Sequence, residues 1–81
     1  MGEDHHIAVE LIVRSMAQSL GVERAEEVVE TALGMHGMRT RRRVTSTECE
    51  ALLESISEEG GLVRVAASVA KIKLILGTLK H

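Results

Sequence analysis

The chain of 81 residues has no phenylalanine, tyrosine, tryptophan or proline, and a single cysteine, Cys49. Each absence excludes something. Without Phe, Tyr or Trp the usual platforms for stacking a nucleic-acid base are missing, and the core must be built from Leu, Ile, Val, Met and Ala, which bury less area apiece. At this length a single core is near the lower end of what folds comfortably alone. Covering apolar helix surface with a second copy of the chain would relieve that. Without proline, nothing breaks a helix from inside. One cysteine permits no intrachain disulfide and fits a reducing compartment. Residues 1–6 are acidic and carry histidines, unlike a signal peptide, so a cytoplasmic setting is expected.

What is present is 44% hydrophobic residues, too many for a chain disordered by composition, and they recur at helical spacing. Ile7, Ala8, Leu11, Ile12, Ser15, Met16 and Ser19 share a face that Val9, Val13 and Leu20 widen. Leu20-Gly21 reads as a stop, or as a bend that would fuse residues 6–33 into one long helix. Val22, Ala25, Val28, Val29 and Ala32 form a second stripe, opposed by Glu23, Arg24, Glu26, Glu27 and Glu30, and Gly34 or Gly37 supplies its left-handed C-terminal cap. Thr45-Ser46-Thr47-Glu48 is a capping box. It opens a third helix with Cys49, Leu52, Leu53 and Ile56 on one side and Glu50, Glu54, Ser57 and Glu58 on the other, closed by Gly60-Gly61.

The last segment is the most apolar. Over residues 62–76 only Arg64, Ser68, Lys71 and Lys73 are polar. A helix apolar on nearly every side needs cover from other helices or another molecule, and three charges make it a poor membrane span. A strand over residues 69–76 is the competing reading, for which the only β-leaning partner is the short run around Arg43 and Val44. The expected fold is therefore all-α: one domain over residues 1–81, a compact bundle of three to four helices near 5–20, 22–34, 46–59 and 61–77. The apolar C-terminal helix lies at its core, and residues 35–45 form a basic connector. No internal repeat stands out.

Charge is segregated along the chain. Residues 1–34 carry net −5, residues 35–45 net +4, residues 46–60 net −5 and residues 61–81 net +4. Alternating blocks place basic segments beside acidic ones, within a chain or between chains.

The basic connector holds the candidate anion- or partner-binding residues, Arg39, Arg41, Arg42 and Arg43. Guanidinium forks grip phosphate bidentately, and the helix start at Thr45 adds backbone donors. Against nucleic acid stand the net acidic chain, the flanking glutamates and the lack of Phe, Tyr or Trp to stack a base. A helix-turn-helix would need a polar recognition face where the last helix is apolar. Gly34-Met35-His36-Gly37 resembles the GXXG loop of KH domains over four residues, but the segment before it reads as helix instead of strand. These glycines are read as caps.

Metal and catalytic patterns are sparse. His5, His6, Met35, His36, Met38 and Cys49 include borderline and soft donors, yet none falls in a Cys-x-x-Cys or His-x-x-x-His spacing. Met35 and Met38 read as core, and His5 and His6 as a frayed terminus. Cys49 sits one turn into a helix but on its apolar stripe, which favours an inert buried thiol over a nucleophile. No enzyme activity, cofactor, metal or membrane contact is expected.

The expected function is a small helical protein-interaction or oligomerisation module. Its partner is a second copy, as a dimer, or another protein, and Val65, Val69, Ile72 and Leu76 are the self-association candidates. The alternative is a small nucleic-acid-binding regulator using Arg39, Arg41, Arg42 and Arg43.

Overall fold

The computed structural model describes residues 6–76, except for the side chain of Leu76. His5 and Gly77, the expected ends of the first and last helices, lie outside the described residues. Four helices pack into a compact, mostly helical bundle, as the spacing of apolar residues predicts: α1 (Val9–Leu20), α2 (Val22–Met35), α3 (Ser46–Ser57) and α4 (Gly61–Lys71), the last continued by a π-helical turn, Ile72–Leu76.

One local expectation is corrected. Residues 6–8 are not the first turn of a helix but a strand, β1 (His6–Ala8), paired antiparallel with β2 (Arg43–Thr45) so that Ile7 lies opposite Val44. The Val9 N–H extends the ladder by donating to the Arg42 carbonyl at 2.8 Å. Both central side chains are buried, Ile7 at 6% exposure and Val44 at 0%, so the ribbon closes one end of the core. A three-residue strand is too short for its alternation to be told from helical spacing. The β-leaning run at Arg43 and Val44 does form a strand, but its partner is β1, and residues 69–76 are helical.

Two glycines set the joints between helices. Gly21 (φ 87, ψ 157) separates α1 from α2 and Gly60 (φ 79, ψ −174) starts α4. This region of backbone space is essentially confined to glycine. Gly21 therefore ends the first helix outright. At the other end of α2 the cap is Gly37, not Gly34. The Met38 N–H donates to the Leu33 carbonyl at 2.8 Å and the Gly37 N–H to the Gly34 carbonyl at 3.2 Å, the two bonds of a Schellman motif. Met38 and Leu33 are both buried and complete its apolar contact, whereas Met35, expected in the core, is 70% exposed.

The capping box at α3 forms as read. Thr45 Oγ1 accepts from the Glu48 N–H at 3.1 Å, and Glu48 Oε1 accepts from the Thr45 N–H at 2.9 Å. That backbone donor, helped by the Arg41 guanidinium, holds the Glu48 carboxyl below its usual range. A depressed carboxylate contributes stability above its unfolded pKa and loses it as pH falls through the folded one. Thr45→Ala is expected to cost about 0.5–2 kcal/mol. Glu48→Gln should flatten part of the acid limb of a stability profile below about pH 4.5; chemical denaturation between pH 3 and 7 reads both.

The core runs through all four helices. The largest fully buried side chains are Ile12 and Met16 of α1, Val29 of α2, Val44 of β2, and Cys49, Leu52 and Leu53 of α3. The C-terminal helix reaches this core through a narrow face of small residues: Val63, Ala66, Ala67 and Ala70. The alanines let α4 lie close to α1 and α3, and the rest of its apolar surface is left outside.

Beneath this packing is a repeat of architecture. Each half runs strand, helix, glycine, helix: β1, α1, Gly21, α2 and then β2, α3, Gly60, α4. The buried positions recur with it. Ile7, Ile12 and Met16 answer to Val44, Cys49 and Leu53, each 37 residues on. Ala25, Val28, Val29 and Ala32 answer to Val63, Ala66, Ala67 and Ala70, each 38 residues on. The two strands pair with each other where the halves meet. What repeats is the pattern of burial, with different residues filling it.

Candidate interaction surfaces

The arginine connector is folded back onto acids of its own chain. Arg41 pairs with Glu48 at 2.8 Å. Arg39 and Arg41 border a groove of about 380 Å³ whose floor is Val9, Val13, Val29 and Leu33 and whose other charges are Glu10, Glu26 and Glu30. Arg42 and Arg43 are exposed at the ribbon, beside Ala8, Val9 and Glu10. The four arginines are thus brought to one end of the molecule, with carboxylates among them. A phosphate backbone approaching this end meets four glutamates as well as the guanidinium groups, which weakens the electrostatic term that dominates nucleic-acid affinity.

Other opposite-charge pairs bridge elements in the same way. Arg24 of α2 reaches Glu59 in the α3–α4 turn at 3.2 Å as well as Glu27 at 3.0 Å, and Lys71 of α4 lies 3.6 Å from Glu50 of α3. All are solvent-exposed and add little stability each.

Of the self-association candidates, Val65 and Val69 fall on one flank of α4, Ile72 continues it at the start of the π turn, and the side chain of Leu76 lies outside the described residues. Val65 is 54% exposed, Ile72 58%, and Val69 is half-buried. Leu62, 58% exposed, extends the same stripe by one step. Counting back from Val65 by the three-four alternation that already linked Val65, Val69, Ile72 and Leu76 would have found it. Beside this flank α1 packs against α4. Lys73 Nζ donates to Gln18 Oε1 at 2.7 Å, which ties the π turn to the α1 face shared by Gln18, Ser15 and the exposed Leu11.

One polar pair was not legible in the sequence. His36, at the C-terminal cap of α2, lies with Nε2 2.7 Å from Ser55 Oγ of α3. Ser55 holds the place in its half that Gln18 holds in the other, 37 residues apart. Each side chain ties its helix to the end of the helix beside it: α3 to α2 here, α1 to the π turn after α4 there. The pair is a tether between helices; a hydroxyl–imidazole contact alone lacks the donors that stabilise a developing oxyanion.

Cys49 is fully buried, and burial, with Glu50 nearby, pushes its thiol up to about 11. A thiol that resists ionisation is a poor nucleophile. Alkylation by iodoacetamide at pH 8 is expected to be negligible in the native protein and complete in 6 M guanidinium, read by mass spectrometry. Rapid native labelling would place Cys49 at the surface. Because the folded pKa lies above the ordinary 9.0, this group's contribution is lost as pH rises from about 9 toward 11.

Among the described residues no group of three or more His, Cys, Asp or Glu is placed to hold a metal ion, and no helix is long and apolar enough to cross a membrane. Comparison with protein-family models, with curated proteins and with solved structures finds no match.

Proposed function

We propose that the protein is a small helical protein-interaction module that works through the exposed flank of α4, without catalysis. The observation that carries this reading is the stripe of Leu62, Val65 and Ile72, each more than half exposed on a helix whose opposite face is buried. Contiguous exposed apolar surface on a small domain marks a binding site more often than chance. A reducing, cytoplasmic setting fits the single buried thiol. The test is a photo-crosslinking residue, p-benzoylphenylalanine, placed at Val65 in the full chain and irradiated in cells that express it. Covalent adducts to protein are expected, and their absence would overturn the reading.

A second reading, nucleic-acid binding through Arg39, Arg41, Arg42 and Arg43, is favoured by the exposure of those four side chains at one end of the bundle. It predicts oligonucleotide binding that falls steeply with salt and is lost, with the fold intact, when the four become glutamine. Anisotropy of a labelled oligonucleotide at 20 and 200 mM salt decides it. The α4 reading expects no binding at either.

A further inference from the structure

The repeated architecture supplies an internal control for the α4 stripe. Leu62, Val65 and Val69 correspond to Arg24, Glu27 and Thr31 of α2, 38 residues earlier. On α2 this flank is polar and satisfied by the chain itself: Arg24 pairs with Glu27 and Glu59, and the Thr31 hydroxyl donates to the Glu27 carbonyl at 2.9 Å. The same fold position therefore tolerates a solvated surface. The apolar residues on α4 are not demanded by packing within the chain.

We infer that the α1/α4 face is covered by a second copy of the chain, in an isologous dimer in which α1 and α4 of each copy form a four-helix layer. The inference rests on the reading of this flank as an interaction surface and names its occupant. Three features choose a second copy over an unlike partner. The spacing of Leu62, Val65, Val69 and Ile72 is three, four, three, which is the seam by which helices pack at shallow angles. Among the described residues the face is nearly free of charge: its one cation, Lys73, is engaged by Gln18. It thus offers no field that would select an acidic or basic partner, and two copies meet on it without like charges opposed. Its outer rim on α1 carries one acid and one base, Glu10 and Arg14, paired at 3.2 Å. Such a rim complements itself across a two-fold axis. The area also fits a modest dimer. Side chains of this size, half exposed, offer roughly 300–400 Å² of apolar surface together with Leu11. A standard interface buries about 800 Å² per partner, somewhat over half of it apolar.

Sedimentation equilibrium of the full chain from 5 to 500 µM tests this, beside Val65→Glu and the milder Val65→Ser. Dimerisation with a Kd below about 100 µM is expected. Val65→Glu should remain monomeric throughout with its helical circular dichroism unchanged, and Val65→Ser should weaken the dimer about tenfold. A wild-type monomer at 500 µM, or a Val65→Glu dimer of undiminished affinity, overturns the inference. The photo-crosslink at Val65 then separates the two levels. Adducts at masses other than twice the chain leave the interaction reading standing while this inference falls, and no adduct at all removes both.

Discussion

Leu52→Ala is expected to lower the free energy of unfolding by about 2–5 kcal/mol. Leu52 is 1% exposed, on α3, among Cys49, Leu53 and Ile56. With no aromatic side chain in the molecule, no large ring is available to settle into the cavity, so the site relaxes poorly. The whole stability of a domain this size is about 4–12 kcal/mol, so a single truncation at this position removes a large share of it. The same truncation at Val65, which is 54% exposed, should change stability by no more than about 0.5 kcal/mol at low protein concentration. Urea titrations followed by circular dichroism at 222 nm measure both, since there is no tryptophan to report by fluorescence. A Leu52→Ala cost below 1 kcal/mol would mean that α3 is not at the centre of the core.

Gly21→Ala is expected to be the most damaging substitution that touches no neighbouring atom. Nothing lies within 4 Å of a Cβ built at Gly21, so the whole cost comes from the backbone, which sits at φ 87, ψ 157. Holding a non-glycine residue there costs about 1–3 kcal/mol. Relaxing it would swing α2 away from α1 and break the bonds at the joint, Gly21 N–H to the Ala17 carbonyl and Ala25 N–H to the Gly21 carbonyl. Gly34→Ala is the matched control. It also has open space, but lies inside α2 at ordinary helical dihedrals. There alanine should stabilise by about 0.4–1 kcal/mol, because it restricts the unfolded chain more than glycine does. Opposite signs from the same chemical change, measured as shifts in urea midpoint, would confirm that Gly21 is kept for its conformation. Equal small effects would refute it.

The helices were legible because several local signals agreed at each boundary. Apolar spacing, the Thr45–Glu48 capping box and Gly60 pointed the same way, while Gly21 read as a stop or a bend and the α2 cap as Gly34 or Gly37 until the backbone decided both. Cys49 read as buried because it shares a stripe with three large aliphatics, and the structure places it there. Besides the His36–Ser55 pair and the exposure of Met35, three features of the fold escaped. The ribbon did, because Ile7 and Val44 each contribute one inward side chain and periodicity cannot be judged from one. The true face of α4 did, because a helix that buries alanines through its narrow side looks apolar all round in sequence. The repeated half-fold did, because Ile12 and Met16 are answered by Cys49 and Leu53, so volume and burial recur without identity. Of the candidate site, the arginine cluster and most of the α4 stripe were visible as composition. Whether the arginines faced solvent or acids depended on the connector folding back beside Glu10, Glu26 and Glu30, which no local signal encodes.

The core closes without the α4 stripe, whose proposed role is association. The concentration dependence of thermal unfolding tests it most directly. If a dimer forms through this face, the wild-type midpoint rises as protein concentration is raised from 1 to 500 µM, because association stabilises the folded state by mass action. Val65→Glu should then give one midpoint at every concentration, equal to that of the dilute wild type. A Val65→Glu protein that melts far below dilute wild type would contradict the account, since it would make the stripe part of the fold itself.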